Sequence, residues 1–373
     1  MRHGKLTLEP CAAGRRRPRL DEGMMDFTSD NTSGVSEKIM QAILKANAGS
    51  SAAYGVDPFT ARASALLSEI FEKELAVFLV ATGTAANALA LGALCPPWGA
   101  VFCHARAHIF EDECGAPEMF TAGAKLVGVA GEAGRIAPSA LRESLAAFPR
   151  GAVKQVQPAA LSLSQATEAG AVYDLAELTE LCRIAHDAGL GVHMDGARFA
   201  NALVELNCSP AEMSWKAGID ILSFGATKNG ALACEAIIVF DPAKAASLPF
   251  QRKRGGHLLS KGRFLGAQMA AYLENGHWLD NARVANAHAA RLAAGLAEAS
   301  GVRMPWPRQA NEVFAILPAR ADAALRAAGV RYYDWSDRDF GEMRRDGEVF
   351  VRLLTSFATQ AAEVDAFIAL ARG

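Results

Sequence analysis

Long apolar runs are missing from this sequence of 373 residues. None approaches the ~20 consecutive apolar residues that a membrane-spanning helix needs, so no such helix is expected. An excess of charge is missing as well. The 38 basic and 40 acidic side chains give a formal charge of −2, which gives no reason to expect nucleic acid or an anionic membrane as a partner. Paired cysteines are absent: the seven present (Cys11, Cys95, Cys103, Cys114, Cys182, Cys208 and Cys234) are odd in number, irregularly spaced and without a CxxC motif. They read as buried small hydrophobes in a reducing, cytoplasmic setting, with neither a disulfide framework nor a zinc site. The basic cluster Arg15-Arg16-Arg17-Pro18-Arg19 lacks a following apolar segment of secretory length, and Glu9, Asp21 and Glu22 argue against a transit peptide. Residues 1–24 are therefore expected to be a disordered leader before a start near Met24 or Met25.

What the chain does have is apolar mass, 51% of its residues, enough for a substantial core. At roughly 100–200 residues per domain, its length suits a large domain plus a smaller one. We expect a large domain with an N-terminal arm over 25–275, and a linking helix with a small C-terminal domain over 276–373.

Apolar residues at helical spacing follow Ser36, and a second helix is expected through Leu66, Leu67, Ile70 and Phe71. The run 75–80 is strand-like and leads through Thr82-Gly83-Thr84 into an alanine-rich helix to about Leu94. Further strands are expected at 101–103, 126–129, 153–163, 191–194, 219–224 and 236–240, with helical patterns between several of them, notably 175–188. Short, continuously apolar strands alternating with helices indicate an α/β fold with a mostly parallel sheet covered on both faces. Long helices are expected over 260–273 and 282–299. Strands at 313–317, 330–334 and 349–354, with helices at 321–328 and 360–372, suggest a small α+β unit.

Four segments carry candidate chemistry. In His193-Met194-Asp195-Gly196-Ala197-Arg198 a strand ends at an acid followed by small residues. Strand C-termini of a parallel sheet face the ligand crevice, so Asp195 is either a helix cap or the partner of a bound cation. In Ser223-Phe224-Gly225-Ala226-Thr227-Lys228-Asn229-Gly230 another buried strand opens into a small-residue loop with a lysine. A lone loop lysine is usually just solvated. Lys228 and Asp195 at one sheet edge would match what pyridoxal phosphate (PLP) requires: an amine for its aldehyde, and a carboxylate to keep its pyridine nitrogen protonated. The pair is much more specific than either member. Thr82-Gly83-Thr84 offers free N–H groups at a helix start, an anion site or merely a capped helix. His108, in Ala107-His108-Ile109-Phe110-Glu111-Asp112-Glu113-Cys114-Gly115, could stack on a pyridine face or relay a proton, although a lone histidine is more often an ordinary residue. His104 is the position most easily confused with it.

Ser29-Asp30-Asn31, Tyr54-Gly55-Val56-Asp57-Pro58, the Thr-Gly-Thr-Ala-Ala-Asn turn, the His108 segment, His-Met-Asp-Gly-Ala-Arg and the lysine loop occur in the order seen in the low-specificity L-threonine aldolases. From about Asp26 to its C-terminus the chain resembles that family, which is PLP-dependent and of fold type I, the aspartate-aminotransferase-like superfamily. The resemblance implies that Lys228 holds the cofactor as a Schiff base, that Asp195 meets its pyridine nitrogen and that His108 stacks on its ring. It implies phosphate binding by Gly83, Thr84 and Ala85, and a grip on the substrate carboxylate by Ser29, Arg198 and Arg352. It also implies a homodimer or homotetramer in which a basic residue of a second subunit completes the phosphate site; Arg254 is the choice within Arg252-Lys253-Arg254. The implied reaction is retro-aldol cleavage of L-threonine, L-allo-threonine or a relative such as phenylserine to glycine and an aldehyde. The expected base is His108 or a water it holds. Where many members carry an Asn-Thr-His-like segment, this chain reads Ser164-Gln165-Ala166-Thr167-Glu168, which leaves that histidine's role to Thr167, Glu168 or water. Rival readings are an aminotransferase, a β-eliminating lyase, a serine hydroxymethyltransferase (for which no folate site is evident), a catalytically silent PLP-binding protein, or an α/β binding module without PLP.

Overall fold

The computed structural model describes residues 25–336 and 343–373; the expected leader lies outside them. The strands in chain order are β1 (Ala76–Val80), β2 (Gly99–His104), β3 (Lys125–Val129), β4 (Gly131–Glu132), β5 (Arg135–Ile136), β6 (Gln157–Ser164), β7 (Gly191–Gly196), β8 (Ile221–Gly225), β9 (Glu235–Val239), β10 (Glu312–Pro318), β11 (Tyr333–Asp334) and β12 (Glu348–Leu354). Seven of them form one sheet in the order β1-β9-β8-β7-β6-β2-β3, and β4 pairs with β5 as a small hairpin.

Within the large sheet only β9 runs against its neighbours. The connection from β8 to β9 explains why: residues 226–234 are too few for the crossover of a dozen or more that a parallel pair needs. Strands β7, β8 and β9 are buried almost throughout, as a sheet covered on both faces requires. On one face, Phe71, Phe199, Phe224 and Trp278 form a ring cluster, with centroids 5.6 Å apart for Phe199–Phe224 and 5.5 Å for Phe224–Trp278. On the other lies helix Gly83–Leu94, whose alanines Ala85, Ala86, Ala88 and Ala90 are buried and allow close approach to β8 and β9.

The small sheet, β10-β12-β11, is antiparallel. Leu292 and Leu296 of the long helix His277–Ala297 pack against Val351, Leu353 and Phe367 beneath it. Phe27 is inserted into the same cluster, and its backbone bonds Arg331 and Leu354. That anchoring sets Ser29 and Asp30 between the two sheets.

The fold is α/β, with a large mixed sheet and a smaller C-terminal α+β region, as expected. Some boundaries differ. The strand expected from residue 153 begins at Gln157, because residues 149–155 form turns that leave Val153 99% exposed. Helices Pro138–Ala146, Phe199–Leu206 and Leu248–Arg254 were not anticipated. Cys114 is exposed and Cys208 half-buried, whereas Cys95, Cys103, Cys182 and Cys234 are buried. Among the described residues no helix is long and apolar enough to cross a membrane.

Candidate active site

Five chain segments emerge at the same edge of the large sheet. The turn after β1 carries Thr82, Gly83 and Thr84; after β2 comes His108; after β6, Glu168; at the end of β7, Asp195 and then Arg198; and after β8, Lys228. Together they line a cavity of about 310 Å³ that includes Asn87, Glu113, Ser223, Thr227 and Glu235. A second cavity of about 320 Å³ adjoins it, sharing Asn31, His108, Glu168, Arg198 and Lys228, and adding Ser29, Trp335 and Arg352. Of the residues singled out in the sequence, Ala85 is buried just behind the first cavity, whose wall at that point is Ala86. Arg254 is exposed at the end of its helix and lines neither cavity of its own chain.

Asp195 lies deep in the first cavity. It accepts hydrogen bonds from Asn87 Nδ2 at 2.8 Å and from the Ala197 N–H at 3.0 Å. Burial pushes its pKa up, but Lys228, His108 and His193 outweigh this and hold the carboxyl below its usual range. Lys228 sits on a one-turn helix, Thr227–Asn229. The amide of Asn229 pins that turn, donating to Tyr272 Oη at 2.9 Å and to the Trp278 carbonyl at 2.8 Å. At the helix start, Thr82 Oγ1 accepts from the Ala85 N–H at 3.1 Å. The first-turn N–H groups of Gly83 and Thr84 have no partner within the helix, as at any helix N-terminus.

His108 donates its backbone N–H to Glu168 Oε1 at 2.8 Å, and its ring Nδ1 meets Glu113 Oε1 at 2.8 Å. The Glu113 bond raises the pKa of the ring. Beneath Asp195, His193 is wedged between Ser162 and Ser223, each 2.9 Å from a ring nitrogen, and burial lowers its pKa to about 4. Burial raises the carboxyls of Glu168 and Glu235 to about 7.

Around the second cavity, Arg198 is held by Asp30, and Glu312 Oε1 lies 3.6 Å from its guanidinium. Arg352 stacks over Trp335, 4.3 Å from the ring centroid. Its Nε has no hydrogen-bond partner among the described residues.

These groups fit PLP. A lysine amine, a buried ionised carboxylate and a helix N-terminus are the donor set its aldehyde, pyridinium and phosphate require. The sequence reading did not single out Asn87, Glu113, Glu235, Glu312 or Trp335. Asn87 lies one helical turn after Thr84, the spacing that puts both on one face, and was legible in principle. Glu235 and Glu312 each open a strand in ordinary apolar patterns, with no local signal.

The sequence matches the beta-eliminating lyase family over residues 26–319. It is 43% identical, over 82% of its length and 88% of the relative's, to a low specificity L-threonine aldolase of a Pseudomonas species. It is 44% identical, with the same coverage, to one from Pseudomonas aeruginosa. The structure superposes on a Leishmania major threonine aldolase with a TM-score of 0.86 at 29% identity, covering 93% of this chain and 98% of that one.

Proposed function

The chain belongs to the beta-eliminating lyase family, among its low-specificity L-threonine aldolases, and from that premise we propose how its residues divide the reaction. It is a PLP-dependent lyase of fold type I that cleaves the Cα–Cβ bond of threonine-like β-hydroxy-α-amino acids, releasing glycine and an aldehyde. The observation that carries the assignment of roles is the meeting of Lys228, Asp195 and the Thr82-Gly83-Thr84 turn in one cavity.

Lys228 attaches the cofactor. Asp195, ionised, would meet the pyridine nitrogen and keep it protonated, and His108 would cover the ring. Gly83 and Thr84 would hold the phosphate with N–H groups and the Thr84 hydroxyl, while the Ala85 N–H, expected to join them, is taken up by Thr82 Oγ1. Bound there, PLP supplies an electron sink for the bond electrons left on Cα. Ser29, Arg198 and Arg352 hold the substrate carboxylate. Arg352 is suited to this because its guanidinium lies over the Trp335 ring and its Nε has no hydrogen-bond partner among the described residues. Fixing the carboxylate sets the Cα–Cβ bond in the orientation for cleavage. The substrates are L-threonine, L-allo-threonine or phenylserine. The enzyme is a homodimer or homotetramer in which Arg254 of one subunit reaches the phosphate site of another, a role that matches its exposure and its distance from its own chain's cavities.

The test is product analysis with L-threonine and PLP, measuring acetaldehyde and glycine alongside amino-group transfer to a keto acid. Equal yields of acetaldehyde and glycine are expected. Keto-acid transamination without aldehyde would overturn the reading.

A further inference from the structure

We propose that Glu168, rather than His108, accepts the proton of the substrate's β-hydroxyl as the Cα–Cβ bond breaks; this rests on the aldolase reading above. Glu168 lies where the two cavities meet, with Lys228 and Arg198 lining the same junction. Its Oε1 accepts two hydrogen bonds, from the His108 N–H at 2.8 Å and from Ser164 Oγ at 2.9 Å. Donors on two different segments fix the plane of the carboxyl. Its Oε2 is shielded from water and has no partner among the described residues. A buried acceptor left without a donor is destabilising, so such an oxygen at a cavity junction marks a place for a ligand's donor. The hydroxyl of a bound β-hydroxy amino acid is such a donor.

Of the other candidates, Glu113 also has a buried Oε2 without a partner among the described residues, but it lines only the first cavity and its Oε1 is tied to Asn87 and His108; the rest are engaged. His108 Nδ1 is tied to Glu113, and that bond favours the protonated ring, which has no lone pair to offer. Asp195 is held below its usual pKa and is a weak base, besides being occupied by Asn87 and Ala197. Both ring nitrogens of His193 are bonded to serines. Glu235 accepts from the Ala226 N–H at 2.8 Å and lines only the first cavity.

The charged and titratable groups around Glu168 include Lys228 after β8, Asp195 of β7, Arg198 beyond it, His108, Cys103 of β2 and Tyr173. Burial and the Asp195 charge push its carboxyl up to about 7, against the pull of its two donors. A base poised near the working pH combines a usable ionised fraction with strong proton affinity. In the step itself the O–H bond breaks and its proton passes to Glu168. The oxygen's electron pair becomes the aldehyde C=O bond. The Cα–Cβ bond breaks with its electrons remaining on Cα of the glycine fragment, where a proton later replaces the aldehyde. The Glu168 proton then returns to solvent.

The experiment compares the parent holoenzyme with Glu168→Gln and Glu168→Asp. It measures PLP absorbance, saturation by glycine (a product without the β-hydroxyl), and acetaldehyde release from L-threonine across pH. Parent kcat/KM should rise with pH through about 7 and level off, because the carboxylate is the active form. Glu168→Gln preserves the Oε1 acceptor, so it should bind PLP and glycine as the parent does while kcat falls on the order of 10²–10⁴-fold. Its acid limb should vanish, and Glu168→Asp should recover part of the rate. A Glu168→Gln enzyme with parental kcat and acid limb would overturn the proposal. So would failure of both variants to take up PLP, which would make the residue a structural post. A parent that releases no aldehyde would instead overturn the aldolase reading itself.

Discussion

Arg198 closes on Asp30 through two hydrogen bonds, Nε to Oδ2 at 2.7 Å and Nη2 to Oδ1 at 3.1 Å. Asn311 adds a third to the same carboxylate at 3.1 Å. Asp30 comes from the N-terminal arm, Arg198 from the end of the large sheet and Asn311 from the start of the small one, so one carboxylate ties three parts of the chain beside the cavities that Arg198 lines. Despite burial, Arg198 and Lys228 hold Asp30 ionised. Removing one partner of a buried pair strands the other charge, at about 3–5 kcal/mol. Asp30→Asn should lower thermal stability by that order and raise KM for threonine more than it lowers kcat. Thermal melts with steady-state kinetics would check both; an unchanged KM would contradict the positioning role.

Asn87 serves two acids at once. Its Nδ2 lies 2.8 Å from Asp195 Oδ2 and 2.8 Å from Glu113 Oε1. A hydrogen bond to a charged group contributes about 1.5–3 kcal/mol, and each 1.4 kcal/mol is about tenfold in affinity. Asn87→Ala should therefore weaken PLP binding by about tenfold or more, measured by titrating apoprotein with cofactor.

In the role proposed for Arg352, its planar fork over the Trp335 ring would matter as well as its charge. Arg352→Lys keeps the charge and loses the bidentate geometry. It should raise KM for threonine about tenfold or more while leaving PLP affinity unchanged. A parental KM would remove Arg352 from carboxylate binding.

Glu235 gives a stability prediction whose sign follows from linkage. Burial raises its folded-state pKa to about 7, well above the ~4.3 of an exposed glutamate. The folded state therefore holds this proton over a range where the unfolded chain has released it, and stability falls as pH rises from about 4 to 7. Above that range the buried carboxylate costs on the order of 3 kcal/mol. Apo Glu235→Gln should melt higher than apo parent at pH 8 and much like it near pH 4. Equal melting temperatures at pH 8 would contradict the assignment.

Much of the candidate site was legible in the sequence because its groups follow buried strands. Asp195 lies near the end of a buried apolar strand and Lys228 follows another by a short loop, and a parallel sheet brings such ends to one edge. The Thr82–Thr84 turn was legible for the same reason. The second layer of the site was not. Asn87 shares a helix face with Thr84, but its acidic partners do not show in the sequence, and Glu113 looks like one of several acids in its segment. Their roles exist only once the helix after β1 lies beside β7. Asp30 and Glu312 meet Arg198 across the gap between the two sheets, a contact spanning most of the chain that no local pattern encodes. Boundaries failed where apolar residues stand in turns, as at Val153.

The most direct test of the account is the visible spectrum of the purified protein with PLP, before and after adding L-threonine, beside Lys228→Ala. The account predicts a yellow band in the parent that shifts with threonine as acetaldehyde appears, and a variant that lacks both the covalently bound band and the activity. A parent that takes up no PLP, or a Lys228→Ala protein that turns over threonine at the parental rate, would contradict it.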